Sequence, residues 1–145
     1  MKGAVDIIIH TLHVGQSLRV ATLTINGKAP ARELLEKLRK DDSTKWRQLV
    51  ARIGHVANNP DCRNQEIFKS LPIGIFEFKR HGIRLYAFFD TLSGIDQQLI
   101  LCTNGGKKNT PRQQQRDIQK AQGIKQRYFA AKRDKTASFT LIDRP

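Results

Sequence analysis

Residues 74–90, GIFEFKRHGIRLYAFFD, constrain the fold more than any other stretch of this chain. Two runs rich in Phe, Ile, Leu and Tyr meet at His81-Gly82, which fits a two-residue turn closing a β-hairpin. Side chains alternate across a strand, so the register follows from the turn. Arg80 is set opposite Ile83, Lys79 opposite Arg84, Phe78 opposite Leu85, and Glu77 opposite Tyr86. One side of the hairpin then carries Phe76, Phe78, Ile83, Leu85, Ala87 and Phe89, a core-facing set. The other carries Glu77, Lys79, Arg84 and Tyr86, a polar face on which Arg84 is expected to be dispensable for packing.

Around this hairpin the remaining elements can be placed by period and punctuation. LRVATLTIN, residues 18–26, alternates as a strand with Leu18, Val20, Thr22 and Thr24 on one side. Gly27 to Pro30 turns the chain into ARELLEKLRK, an amphipathic helix with Leu34, Leu35 and Leu38 on one stripe. Ser43 or Thr44 is the expected cap of a second helix reaching about Val56. Trp46, Leu49, Val50 and Ile53 recur there at helical spacing, with Trp46 read as core. Residues 62–72 connect to the hairpin, and QQLILCT at 97–103 predicts a further strand. Asn104-Gly105-Gly106 reads as a loop, and Thr110-Pro111 as the start of a helix to about Arg133, with a candidate break at Gly123. In that last helix Ile118, Ala121 and Phe129 are expected to face the sheet. Short hairpin connections point to a mainly antiparallel α+β domain of all 145 residues. The expected architecture is an antiparallel sheet of about four strands, two N-terminal helices on one face, and a basic C-terminal helix.

Charge decides the class of partner. The chain carries 26 Lys and Arg against 13 Asp and Glu, a net +13 that favours a polyanion. Residues 103–133 hold nine of those cations with Asp117 as their one acid, whereas a solvated helix face normally mixes signs. Arg112, Arg116 and Lys120, four residues apart, form one basic stripe. No apolar run approaches the roughly 20 residues of a membrane span. The opening Met1-Lys2 and its short run to Ile9 are too brief for a secretory signal. Cys62 and Cys102 lack companions at metal-ligand spacing and read as reduced thiols, so the expected location is cytoplasmic. His10, His13, His55 and His81 are scattered without a carboxylate cluster, so neither a metal nor a cofactor is expected. Of the four, His81 borders the polar face. The Gly105-Gly106-Lys107-Lys108 run is suggestive of anion contact.

The polar face resembles what RNA cleavage without a metal requires. A base takes the ribose 2′-OH proton, cations offset charge on the phosphoryl oxygens, and an acid protonates the leaving oxygen. Glu77 is the candidate base, Lys79 and Arg84 the clamp, and Lys107, Lys108 or Tyr86 the proton source. Cross-strand charge pairs decorating a surface sheet explain the same residues, and their pattern alone leaves both readings open.

Residues 18 to about 133 resemble the RelE/ParE toxin superfamily, in particular its HigB-like, phage-related branch. The resemblance is carried by APARELLEKL, LPIGIFEFKRHGIRLYAFF, LILC followed by GGKKNTP, and RDIQKA, in that order. It departs at Cys102-Thr103-Asn104, where an aromatic commonly precedes the lysines. Residues 1–16 and 134–145 fall outside it. The resemblance implies a RelE-like fold, with Glu77, Lys79, Arg84, Lys107 and Lys108 as catalytic residues. Arg80, Tyr86, Arg112, Arg116 and Lys120 are the expected RNA-binding residues beside them. The implied activity is that of a type II toxin, a metal-independent and ribosome-dependent mRNA endoribonuclease that inhibits translation. Its implied partners are mRNA, the ribosome and a cognate antitoxin from an adjacent gene. The alternatives are a gyrase inhibitor in the ParE manner and a non-enzymatic phage nucleic-acid-binding or host-takeover factor.

Overall fold

The computed structural model describes residues 4–59, 68–107 and 110–143; Cys62, Lys108 and most of the 62–72 connection lie outside them. In chain order the elements are β1 (Val5–Val14), β2 (Leu18–Ile25), α1 (Pro30–Asp41), α2 (Ser43–Asn58) and β3 (Phe68–Leu71). They continue as β4 (Ile75–Arg80), β5 (Ile83–Asp90), β6 (Gln98–Lys107), α3 (Pro111–Arg133) and β7 (Ala137–Ile142).

The hairpin β4–β5 has the register that the turn dictates, from Arg80 opposite Ile83 to Phe76 opposite Ala87. His81 (φ 48°) and Gly82 (φ 78°) both take the left-handed conformation that matches a tight turn to the twist of its strands. Beyond the hairpin the expected sheet is corrected. Among the described residues seven strands form one sheet in the order β3-β4-β5-β6-β2-β1-β7. It is mixed, because β2 runs parallel to β6 and β1 parallel to β7. The expected sheet of about four antiparallel strands is therefore overturned in number and in sense.

The two helices are also not N-terminal, since β1 and β2 precede them. The reason is burial. Val20, Ala21 and Leu23 of β2 are at most 1% exposed, so β2 cannot serve as a sheet edge. β1 covers that side, paired with β2 from Ile7–Ile25 to Val14–Arg19, and buries Ile7 and Ile9.

Helices cover both faces of the sheet. On one face α1 and α2 bring Leu35, Leu38, Leu49, Ile53 and Val56 onto Val20, Phe78, Leu85 and Ile100, with Trp46 half-buried at the margin. On the other face α3 brings Ala121, Tyr128 and Ala131 onto Leu23, Ile75, Tyr86, Phe88 and Leu101. Full burial of a large apolar side chain contributes about 1.5–3 kcal/mol, so these two layers dominate the folding energy. Asp42, rather than Ser43 or Thr44, caps α2, its carboxylate accepting from the Lys45 N–H at 3.2 Å. Thr110 caps α3 by accepting from the Gln113 N–H at 3.2 Å, and the helix continues through Gly123.

β6 likewise runs on through the expected loop, pairing Asn104, Gly105 and Gly106 with Tyr86, Leu85 and Arg84. A side chain at Gly105 would come within 2.2 Å of the Arg84 carbonyl oxygen and 2.6 Å of Leu34 Cδ2. The glycines permit this close approach, and so they belong to the strand.

Candidate nucleic-acid interface

The polar face of the hairpin is not an open surface. Alternation sends Ile75, Glu77 and Lys79 of β4, and Arg84, Tyr86 and Phe88 of β5, toward the α3 side, where Ile75, Tyr86 and Phe88 join the α3-side core. Glu77 and Tyr86 are each only 1% exposed. Diagonally across the hairpin, Arg84 Nη1 donates to Glu77 Oε1 at 2.6 Å. A buried carboxylate needs such a partner, because removing it from water otherwise costs several kcal/mol. Burial pushes the Tyr86 phenol up to about 12; the Glu77 carboxylate adds to the rise and the Arg84 guanidinium opposes it. Tyr86 therefore holds its proton firmly and is a poor acid.

Next to this pair α3 is tied to β6 by polar contacts. Asn104 Nδ2 donates to the Asp117 backbone carbonyl at 3.0 Å, and Gln113 Nε2 donates to Asp117 Oδ1 at 3.1 Å. Thr103 Oγ1 lies 2.8 Å from Asn104 Oδ1 and donates to it. A Cβ at Gly106 would stand 2.8 Å from Asp117 Oδ2, so the glycine admits that carboxylate.

At the hairpin tip the chemistry changes. A cavity of about 310 Å³ is lined by Arg52 of α2 together with Lys79, Arg80, His81, Gly82, Ile83 and Arg84. Four of its lining residues are lysine or arginine, one is a histidine and none is an acid. Arg80 Nε is buried without a hydrogen-bond partner among the described residues. An unpartnered buried donor is costly unless something occupies it, and here the surroundings select an anion. Arg84 belongs to both settings, held by Glu77 on one side while lining the cavity.

Other expected site residues are dispersed. Lys107 is exposed and pairs with Ile83, which places it toward α1 and α2, beside Lys37, Asp41 and Lys45, and away from Glu77. Lys108 lies outside the described residues. Arg112, Arg116 and Lys120 are all exposed along α3. Lys120 also joins Lys28 and Arg127 around a second hollow of about 410 Å³ with Leu23, Ile25, Pro30 and Ile124 among its lining residues.

Sequence reasoning missed Arg52, Asn104 and the direct contact of Asp117 with this region. Arg52 precedes Ile53 on α2, at the margin of a buried stripe, and no local pattern links it to residue 80. Asn104 was hidden by its glycine neighbours. Among the described residues no group of three or more His, Cys, Asp or Glu is placed to hold a metal ion. Among them, too, no helix is long and apolar enough to cross a membrane. No family model, curated protein or solved structure matches the chain significantly.

Proposed function

We propose that this chain is an RNA endoribonuclease of the toxin type that seats a phosphate of single-stranded RNA at the hairpin tip and cuts the adjoining bond. The observation that carries the reading is the cavity at the tip, walled by Arg52, Lys79, Arg80 and Arg84 with no acid among its lining residues. The resemblance to RelE/ParE toxins supports the same chemistry, with ribosome-bound mRNA as target and an antitoxin from an adjacent gene as restraint.

Glu77 is reassigned from base to positioning residue, because it is buried and engaged by Arg84. His81, exposed in the turn, takes the ribose 2′-OH proton as that oxygen attacks phosphorus. The bond to the 5′ oxygen breaks, Lys79 supplies the proton that oxygen needs, and the products are a 2′,3′-cyclic phosphate and a 5′-OH end. The guanidiniums of Arg80 and Arg84 meet the charge that gathers on the phosphoryl oxygens.

The test is induction of the protein alone with mapping of new 5′-OH ends in mRNA, and of gyrase-linked DNA breaks in parallel. Arg80→Ala is expected to slow cleavage by roughly two to three decades, as loss of one transition-state donor does. His81→Ala is expected to slow it by about two to four decades. Wild-type cleavage in both variants would overturn the assignment, as would gyrase breaks without RNA ends. The burial of Glu77 favours one second reading, RNA binding without cleavage. Salt-sensitive RNA binding with no new ends would establish that reading instead.

A further inference from the structure

We propose that the edge of β7 is a homodimer interface, across which two copies of the chain join their sheets antiparallel about a two-fold axis. The inference stands apart from the RNA chemistry and starts from a contrast between the two ends of the sheet. An edge strand presents unpaired backbone groups, and monomeric proteins blunt it with lysine, proline, a bulge or shortness. At one end β3 is four residues long and carries Lys69. At the other end β7 is six residues long, ASFTLI, with neither a charge nor a proline.

Five large apolar side chains are exposed among the described residues, and three of them are Phe139 (39%), Leu141 (39%) and Ile142 (37%) of β7. The strand is well anchored. It pairs with β1 residue by residue from Val5–Ala137 to His10–Ile142. Phe139 stands edge-on to Tyr128 at 5.8 Å, and Asp143 just beyond the strand pairs with Arg19. Among the described residues β7 is thus a fixed edge, last in the strand order and without a guarding charge or proline.

Charge identifies the occupant as a second copy. Lys135 precedes the strand and Asp143 follows it, with no charge between. In an antiparallel pair centred on Phe139, each Lys135 faces Asp143 of the other copy, so the contact is self-complementary and closes as a dimer. Joining β7 to β3 of a further copy would instead be heterologous and would set Lys69 against an apolar strand. Two chains of net +13 repel one another overall, and an uncharged strand is where they can meet. β7 also lies at the opposite end of the strand order from the hairpin, so both tip cavities stay open.

Sedimentation velocity on the full chain across a concentration and salt series tests this. A dimer is expected whose dissociation constant falls as salt rises, because screening relieves the overall repulsion. Leu141→Lys should raise that constant more than about tenfold while the far-ultraviolet dichroism stays unchanged. Ile142→Lys, on the other side of the strand, should do the same and serves if the first variant misfolds. Lys69→Leu on β3 should leave the wild-type dimer constant as it is. A monomer at every concentration, a dimer indifferent to both lysines, or one that salt dissociates would each overturn the proposal.

Discussion

Arg84 shows how far a side chain's role can shift when its neighbours are known. Strand alternation correctly places it away from the Phe78 and Leu85 layer, and that suggests it is free for function alone. Its 2.6 Å pair with the buried Glu77 makes it structural as well. Removing one partner of a buried pair strands the other charge, which typically costs about 3–5 kcal/mol. Arg84→Ala is therefore expected to lose stability on that order, read as a lower denaturation midpoint with the same slope. Pairing it with Glu77→Gln should recover much of the loss, because no carboxylate is then left unpaired. Equal stabilities for wild type and Arg84→Ala would show that the pair contributes nothing. Lys79 and Arg80 are cleaner probes of the proposed RNA chemistry. The tyrosines give a second expectation, on the alkaline side. Burial raises Tyr86 to about 12 and, joined by the hydrogen bond to Asp90, raises Tyr128 further. A raised folded-state pKa means the folded chain keeps protons that the unfolded chain releases. The stability that Tyr86 contributes is fully present below about pH 10 and is lost as pH rises through about 12, while the Tyr128 contribution persists to higher pH. Tyrosinate absorbance should appear together with loss of the far-ultraviolet signal. An ordinary titration near pH 10 with the fold intact would contradict the burial assigned to both rings.

Among the elements, α3 closes the sheet face that carries the Glu77–Arg84 pair, and the carboxylate of Asp90 holds its far end. Asp90 at the end of β5 accepts from Tyr128 Oη at 2.5 Å and from Lys132 Nζ at 2.8 and 3.0 Å. Lys132 also donates to the Thr91 carbonyl oxygen at 2.9 Å. Halfway along the helix, Lys125 donates to the Ile73 carbonyl oxygen at 2.9 Å, bracing a turn in which Ile73 takes a left-handed φ of 61°. Asp90→Asn should cost about 2–3 kcal/mol, since it weakens charge-assisted hydrogen bonds to two partners. For a chain of this size that is a fall of roughly 5–10 °C in Tm. Faster amide exchange is expected to be concentrated in residues 124–133, and uniform loss of protection would argue against a local latch. The hairpin was legible because turn and alternation alone fix its register. The outer strands were not. β1 reads as an unassigned N-terminal segment, and β7 is a short run after a long helix. The parallel pairing of β2 with β6 spans both α1 and α2, a separation that no local pattern encodes. The same limit hid the cavity, because Arg52 and Arg80 meet only when α2 docks on the sheet.

At the scale of the whole molecule, the excess of cations becomes a measurable surface. Some of the 103–133 run is already spoken for: Lys132 by Asp90, and Lys125 by the Ile73 and Gly74 carbonyl oxygens. Arg112, Arg116, Lys120 and Arg127 remain exposed along α3, separate in sequence from the four cations of the hairpin tip. An RNA strand that engages both groups neutralises about 4–6 phosphates, allowing for two to four of these cations being out of reach or, like Arg84, already paired. With single-strand slopes, an approximately fourfold rise in salt should then weaken binding by roughly two decades. The slope also divides by region. Arg112→Glu with Arg116→Glu should lower it by about 1.4, because each phosphate contact on a single strand contributes about 0.7. Arg80→Ala should lower it by about 0.7 and, on the proposed reading that the tip cavity seats the reacting phosphate, should also slow cleavage at saturating RNA, which the α3 pair should not. Fluorescence anisotropy of a labelled single strand across a salt series reads all three slopes. An affinity that does not change with salt would mean that the net +13 is not the RNA-binding surface, and a slope carried wholly by the α3 pair would leave the tip cavity without a ligand.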